Sequence, residues 1–258
     1  MKKINVAKAE LFRLDSSNTS KAVIGFVSLY ICLAISPIGT IIRLEGGTVL
    51  GQNATRMISA CLATSCVSMF MSEFFYSSEF EKGTIYNSIF SLQDPGKLFW
   101  GKFLVQSIFT LSIYMYCILF STLCATVAYT FGNMMLTEWI FGLWTGIIKG
   151  AFNQIAFLSF SNWVFLKAES KSISFGMCSA IILAEFALAH LAGVYLTDEI
   201  LGSFGFIHTL FPSNFFLEAY EDNVISIVLS IGFSMLIAWS FLIFSKRAMN
   251  ENLSNKND

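Results

Sequence analysis

Residues Gly96 to Lys102 read Gly-Lys-Leu-Phe-Trp-Gly-Lys, the G-x-x-x-x-G-K spacing of a phosphate-binding loop. That chemistry asks for more than two glycines and a lysine. Small residues must follow a strand so that backbone amides can wrap phosphate, and a Ser or Thr must come next to hold magnesium. Here Leu98, Phe99 and Trp100 crowd the loop, Phe103 replaces the hydroxyl, and an apolar run follows at once. No nucleotide site is expected, and Lys97 and Lys102 read as anchors at a membrane face. Other reactive groups are sparse. The two histidines, His190 and His208, lie far apart, and neither H-E-x-x-H nor G-x-S-x-G occurs. No metal site and no catalytic residues are expected.

Lys149 is the residue most out of place. It falls in the middle of an apolar run, where a charge costs about 2.5–3.5 kcal/mol on insertion scales, so it must face protein or water. Glu185 lies at a similar depth in the next run, which suggests a Lys149–Glu185 pair or a shared polar cavity; a purely structural ion pair is the plainer alternative. Asn153 and Gln154 follow Lys149 on the same run, with Ser159, Ser161 and Asn162 beyond. Gly142, Gly146 and Gly150, four apart, form a groove that admits a close neighbour. This run is therefore the candidate for a conduit wall or a subunit contact, with ordinary packing inside the chain as the other reading.

The elements that must position these residues are six long apolar runs, at roughly 21–42, 55–76, 103–130, 139–166, 172–195 and 224–245. A bilayer core of about 30 Å needs about 20 such residues of helix. The chain is 55% hydrophobic and 13% charged, against roughly 25% charged for a soluble domain. A single all-α transmembrane domain spanning residues 1–258 is expected, because backbone groups in lipid must bond within their own segment. All six cysteines, Cys32, Cys61, Cys66, Cys117, Cys124 and Cys178, fall inside these runs and read as small packing residues.

Charge sets the orientation. Lys2, Lys3, Lys8, Arg13 and Lys21 precede the first run; Lys82, Lys97 and Lys102 follow the second; Lys167 and Lys171 follow the fourth; Lys246, Arg247 and Lys256 follow the sixth. The alternate segments hold Arg43 and Arg56, plus the acids Glu45, Asp198, Glu199, Glu218, Glu221 and Asp222. Positive charge marks the cytoplasmic side, so both termini are expected there, as an even helix count requires. A cleavable signal peptide is not expected, since Glu10 and Asp15 interrupt the first twenty residues.

The polar segments are not plain connectors. Residues 1–20 hold an expected interfacial helix, with Ile4, Ala7, Leu11 and Leu14 on one face and Lys3, Glu10 and Arg13 elsewhere. The loop 77–102 opens with a helical stretch over 79–92 carrying Phe80, Ile85, Ile89 and Phe90, stopped by Asp94-Pro95-Gly96. The segment 196–223, rich in Phe between Gly202, Gly205 and Pro212, is expected to form two short, partly inserted helices on the outer side. Residues 246–258 form a cytoplasmic tail.

Within the first inner loop, Glu79-Phe80-Glu81-Lys82-Gly83-Thr84, then Asn87, then Gly101-Lys102 entering the third run resemble the membrane subunit of ABC-2 type exporters. That family typically shows an acidic residue, a Gly-Thr pair and a Gly-Lys before the next span. The likeness extends over the whole layout of interfacial helix, six spans and broken outer segment. In size and Phe-rich, low-charge character the chain is similar to lantibiotic-immunity, bacitracin-resistance and peptide-toxin exporter permeases. Many members carry Ser-Arg where this chain reads Pro95-Gly96-Lys97.

The resemblance implies a coupling helix at 79–92 seated in a groove of a separate cytoplasmic ATPase, with Glu79, Glu81 and Lys82 offering charges and Gly83 allowing close approach. It implies a complex of two permease subunits, identical or homologous, with an ATPase dimer that holds ATP and magnesium. This chain would bind no cofactor and no nucleic acid. The cargo would be an amphiphilic peptide or a hydrophobic compound taken from membrane lipid at the cell's plasma membrane. The rival is a secondary transporter or channel using Lys149, Glu185 and His190.

Overall fold

The computed structural model describes residues 8–10, 12, 25, 63–77, 79–80, 95–128, 136–168, 170–195 and 224–254. Among them every element is helical. Helix α1 runs over residues 63–72 and opens into a π-helical turn, Glu73–Ser77. Helices α2 (Pro95–Ala128), α3 (Leu136–Lys167), α4 (Lys171–Tyr195) and α5 (Val224–Ser254) follow. The expected run 21–42 apart from Gly25, residues 55–62 of the expected run 55–76, most of the N-terminal helix, and the segments 81–94, 196–223 and 255–258 lie outside the described residues.

Helix ends differ from the apolar runs in ways local chemistry explains. Helix α2 begins at Pro95, eight residues ahead of the run at 103. Proline lacks only an N–H that the first turn leaves unbonded, and its fixed φ suits that position, so Asp94-Pro95-Gly96 starts a helix as well as ending a loop. Ser170 caps α4: its hydroxyl accepts from the Ile173 amide at 3.3 Å and its carbonyl from the Ser174 amide at 3.1 Å. Helix α5 continues through residues 246–254, which the sequence suggests as a tail.

Cross-helix contacts fix relative directions. Gln106 reaches Met71 while Lys102 reaches Phe75, so α1 and α2 are antiparallel. Phe70 meets Phe175 at 5.7 Å and Glu73 meets Lys171 at 2.9 Å, so α1 and α4 are antiparallel. Ser161 pairs with Cys178 and Phe165 with Phe175, so α3 opposes α4. Ser245 bonds the Ser159 carbonyl and Asn252 the Leu166 carbonyl, so α3 and α5 run parallel. Helices α1, α3 and α5 thus point one way, and α2 and α4 the other.

Among the described residues two helical stretches, Pro95–Leu119 and Ile231–Leu253, are long and apolar enough to cross a membrane. Only 39% and 28% of their most apolar windows is buried, and neither is near the N-terminus, so neither looks like a soluble core helix or a signal sequence. Their exposed faces are mostly apolar, and polar residues are buried together with apolar ones such as Phe99, Val105 and Leu242. On α2, Lys102, Gln106, Thr110 and Tyr114 point inward at four-residue spacing, while Trp100, Leu104, Ile108 and Leu119 are exposed. On α5, Ser234, Ala238 and Ser245 face in and Met235, Leu236, Trp239 and Phe244 face out. In water a helix buries its apolar stripe and exposes its polar one; an apolar exposed face, with polar residues buried beside an apolar core, suits lipid. Association in lipid rests on packing and interhelical hydrogen bonds, since tails are as apolar as leucine. Accordingly Phe241 of α5 stacks edge-on against Phe160 of α3 at 5.2 Å and lies 5.4 Å from Trp163.

Candidate functional site

Helix α3 is the hub of the bundle, touching α1, α2, α4 and α5. Its polar residues meet polar residues of α1 and α2 in a seam that runs through the interior. The seam has one strong tie. The Gln106 amide nitrogen donates to the Asn162 side-chain oxygen at 3.2 Å and to the Met71 carbonyl at 3.3 Å, and Asn162 donates back to Gln106 at 2.9 Å. This one side chain joins three helices. Further along, Gln154 reaches Ser65 at a long 3.5 Å. Thr64, Ser68, Ser72, Thr110 and Ser161 add buried hydroxyls.

At one end the seam closes on Lys102, which is fully buried. Its Nζ donates to the Phe75 carbonyl at 3.2 Å. Glu79 Oε1 lies 2.6 Å away and Glu10 Oε1 3.4 Å. The Glu79 contact is a close ion pair without hydrogen-bond alignment. The rings of Phe75 and Tyr76 lie 5.5 and 6.0 Å from the ammonium, close enough for cation–π attraction. The local fold explains the position. A π turn loosens the regular carbonyl ladder, and in a dry environment the carbonyls it bares need donors. Lys102 and Gln106, four apart on α2, meet the carbonyls of Phe75 and Met71, four apart on α1.

Two more ion pairs gather at this end. Lys171 at the start of α4 holds Glu73 of the π turn at 2.9 Å, and Lys167 at the end of α3 holds Glu251 of α5 at 2.6 Å. The N-terminal segment and all five helices are therefore tied at one end of the bundle, the end rich in lysine.

The sequence-derived candidates fall as follows. Glu79 is buried and engaged with Lys102, so its carboxylate points into the bundle. Phe80 packs half-buried against the core. Glu81, Lys82, Gly83, Thr84 and Asn87 lie outside the described residues. Lys149 and Asn153 are buried in α3, as the insertion cost demands. Gln154 is also buried, and Gly150 sits beside them inside the bundle. Gly142 and Gly146 continue the α3 backbone, and their surroundings are outside the described residues. Glu185 belongs to α4, its side chain likewise outside. The α3–α4 register set by Ser161–Cys178 and Phe165–Phe175 brings the Glu185 backbone level with Gln154, about 8 Å along the axis from Lys149. By the same register His190 falls level with Lys149.

The sequence suggests Lys102 as an anchor at the inner membrane face and places Glu10 off the apolar face of the N-terminal helix. Both are interior. Gln106 and the hydroxyls of α1 were not singled out. The signal for α2 was present in the polar spacing Lys102, Gln106, Thr110, Tyr114 within an apolar helix. Among the described residues no cluster of side chains could hold a metal ion. The fold and seam define an all-helical bundle with a lipid-type surface. No family model matches the chain, and no curated protein matches it.

Proposed function

We propose that the chain is the permease subunit of an ABC-2 type exporter, a six-span protein of the plasma membrane with both termini cytoplasmic, moved by a separate ATPase. The observation that carries this reading is the rooting of the first inner loop. Glu79, the first residue of the segment that resembles a coupling helix, is fastened to the base of α2 through Lys102. A displacement of that loop by a partner would pass directly into α2, and through Gln106 into α1 and α3.

Other features support it. Alternating directions over α1 to α5 are what the last five of six spans require. The lysine-rich ion pairs collect at the end that the positive-inside rule makes cytoplasmic. Two permease subunits and an ATPase dimer would form the transporter, with ATP and magnesium on the ATPase and none on this chain. An exterior and interior with few free charges suit a cargo drawn from the bilayer, an amphiphilic antimicrobial or toxin peptide or a hydrophobic compound.

The test is capture of the intact complex. The tagged chain purified from its native membrane brings down a cytoplasmic ATPase, and the double reversal Glu81→Lys/Lys82→Glu reduces that recovery by about tenfold, as loss of a charge-complementary docking face does. Unchanged recovery argues against the 79–92 segment as the seat, and absence of any ATPase argues for the secondary-transporter reading built on Lys149, Glu185 and His190.

A further inference from the structure

The outer face of α5 changes character in its last third. Val228, Leu236, Trp239 and Ile243 lie along one exposed stripe, and Lys246, Arg247 and Asn250 continue that stripe, exposed as well. The neighbouring helices show how deep the two cations lie. Ser245 meets Ser159 and Asn252 meets Leu166, so Lys246 is level with Phe160 of α3. Gln106 of α2 meets Asn162, and Cys178 of α4 meets Ser161. At the level of Lys246, α2 therefore exposes Ile108, and α4 exposes Met177 and Ile181 on either side of it. Their apolar faces run on to Trp100 and Ile173, about 10 Å further along the axis, and Lys97 lies beyond Trp100. Lys97 thus closes its stripe where a lipid-facing helix ordinarily carries a cation and a tryptophan. Lys246 and Arg247 do not. They face outward within the belt that α2 and α4 mark as apolar.

We infer that this face of α5 seats an anionic phospholipid, its phosphate drawn inward onto Lys246, Arg247 and Asn250 and its acyl chains laid along Ile243, Trp239 and Leu236. A charge at this depth is costly in bare hydrocarbon. The long stems of Lys and Arg let their charged ends reach toward water, which covers only part of the distance. A dip of the headgroup layer toward α5 covers the rest, and a negative headgroup gains from that approach where a neutral one does not. The charge balance fits. Glu251 is the one acid of α5, and Lys167 of α3 engages it at 2.6 Å. The donors fit too: a guanidinium fork suits phosphate oxygens, beside an ammonium and the Asn250 amide. The site requires that α5 lie in the bilayer and does not depend on what the bundle transports.

Fluorescence quenching on the full chain in nanodiscs tests it. The discs hold dioleoylphosphatidylcholine with a minor share of dioleoylphosphatidylglycerol. In one set the phosphatidylglycerol carries brominated acyl chains, and in the other an equal amount of the phosphatidylcholine does. Bromine quenches tryptophan on contact, and the part of the quenching that Trp239→Phe removes reports this face of α5. Brominated phosphatidylglycerol quenches that part about threefold or more strongly than brominated phosphatidylcholine, as attraction to two cations at the membrane surface requires. The excess disappears in Lys246→Gln/Arg247→Gln and persists in Lys97→Gln. Equal quenching by the two lipids in the wild type would mean that protein or water alone meets these cations, and it overturns the inference. So does an excess that survives the double variant, which places the lipid elsewhere, or one that Lys97→Gln lowers equally, which makes it a diffuse attraction to the positive end. If the double variant does not fold, Arg247→Gln decides alone: a reduced excess upholds the site, and an undiminished one rejects it.

Discussion

Lys102 concentrates the cost of building this bundle in one side chain. Burying an ammonium is expensive, and the penalty is offset only because carboxylates, a carbonyl and two aromatic faces surround it. Removing it takes the ammonium away from two buried carboxylates, Glu79 and Glu10. Lys102→Met is expected to destabilise the fold by about 3–5 kcal/mol, measured as a loss of unfolding free energy in denaturant titrations in detergent. The Lys167–Glu251 pair gives the contrast. It has similar length, 2.6 Å, but both side chains are more than half exposed, so Glu251→Gln should cost under about 1 kcal/mol in the same assay. Gln106→Leu leaves Asn162 and the Met71 carbonyl without their shared donor, and a loss of about 1–2 kcal/mol is expected. The sequence marked Lys149 as costly because it lies mid-run. It did not mark Lys102, because a lysine at the edge of an apolar run ordinarily reaches water. What distinguishes Lys102 is a pair of acids far away in sequence, which no local pattern reveals.

Helices α3 and α4 were legible almost to the residue, since long apolar runs admit only one backbone solution in lipid. The expected 139–166 and 172–195 became Leu136–Lys167 and Lys171–Tyr195. The π turn after α1 is not legible, because no residue in Glu73–Ser77 announces it; Lys102 of α2, remote in sequence, donates to its Phe75 carbonyl. The faces of α2 were readable in principle from its four-residue polar spacing. They also give a test specific to this element. Ile108 is exposed on the apolar face while Gln106 and Thr110 are buried. In a soluble protein Ile108→Lys would be harmless. Here it should reduce membrane insertion by a free energy of about 2.5–3.5 kcal/mol, read as the inserted fraction in a translocon assay. Insertion unaffected by that change would remove α2 from the bilayer.

At the scale of the molecule, alternating helix directions and a cluster of ion pairs at one end give the bundle a polarity. Lys97 and Lys246 are both exposed at this end. In intact cells Lys97→Cys and Lys246→Cys should both resist a membrane-impermeant maleimide and both react once the membrane is opened. In the exporter reading proposed above, force would travel from a partner through the first loop to α2 and the polar seam, and the subunit would be passive by itself. The most direct measurement is flux of a labelled amphiphilic peptide in proteoliposomes, with the chain alone and with its co-purifying ATPase and ATP. The chain alone should match empty vesicles, and flux should appear only with ATPase and ATP together. Sustained flux from the chain alone, collapsing when a protonophore is added, would contradict the exporter reading.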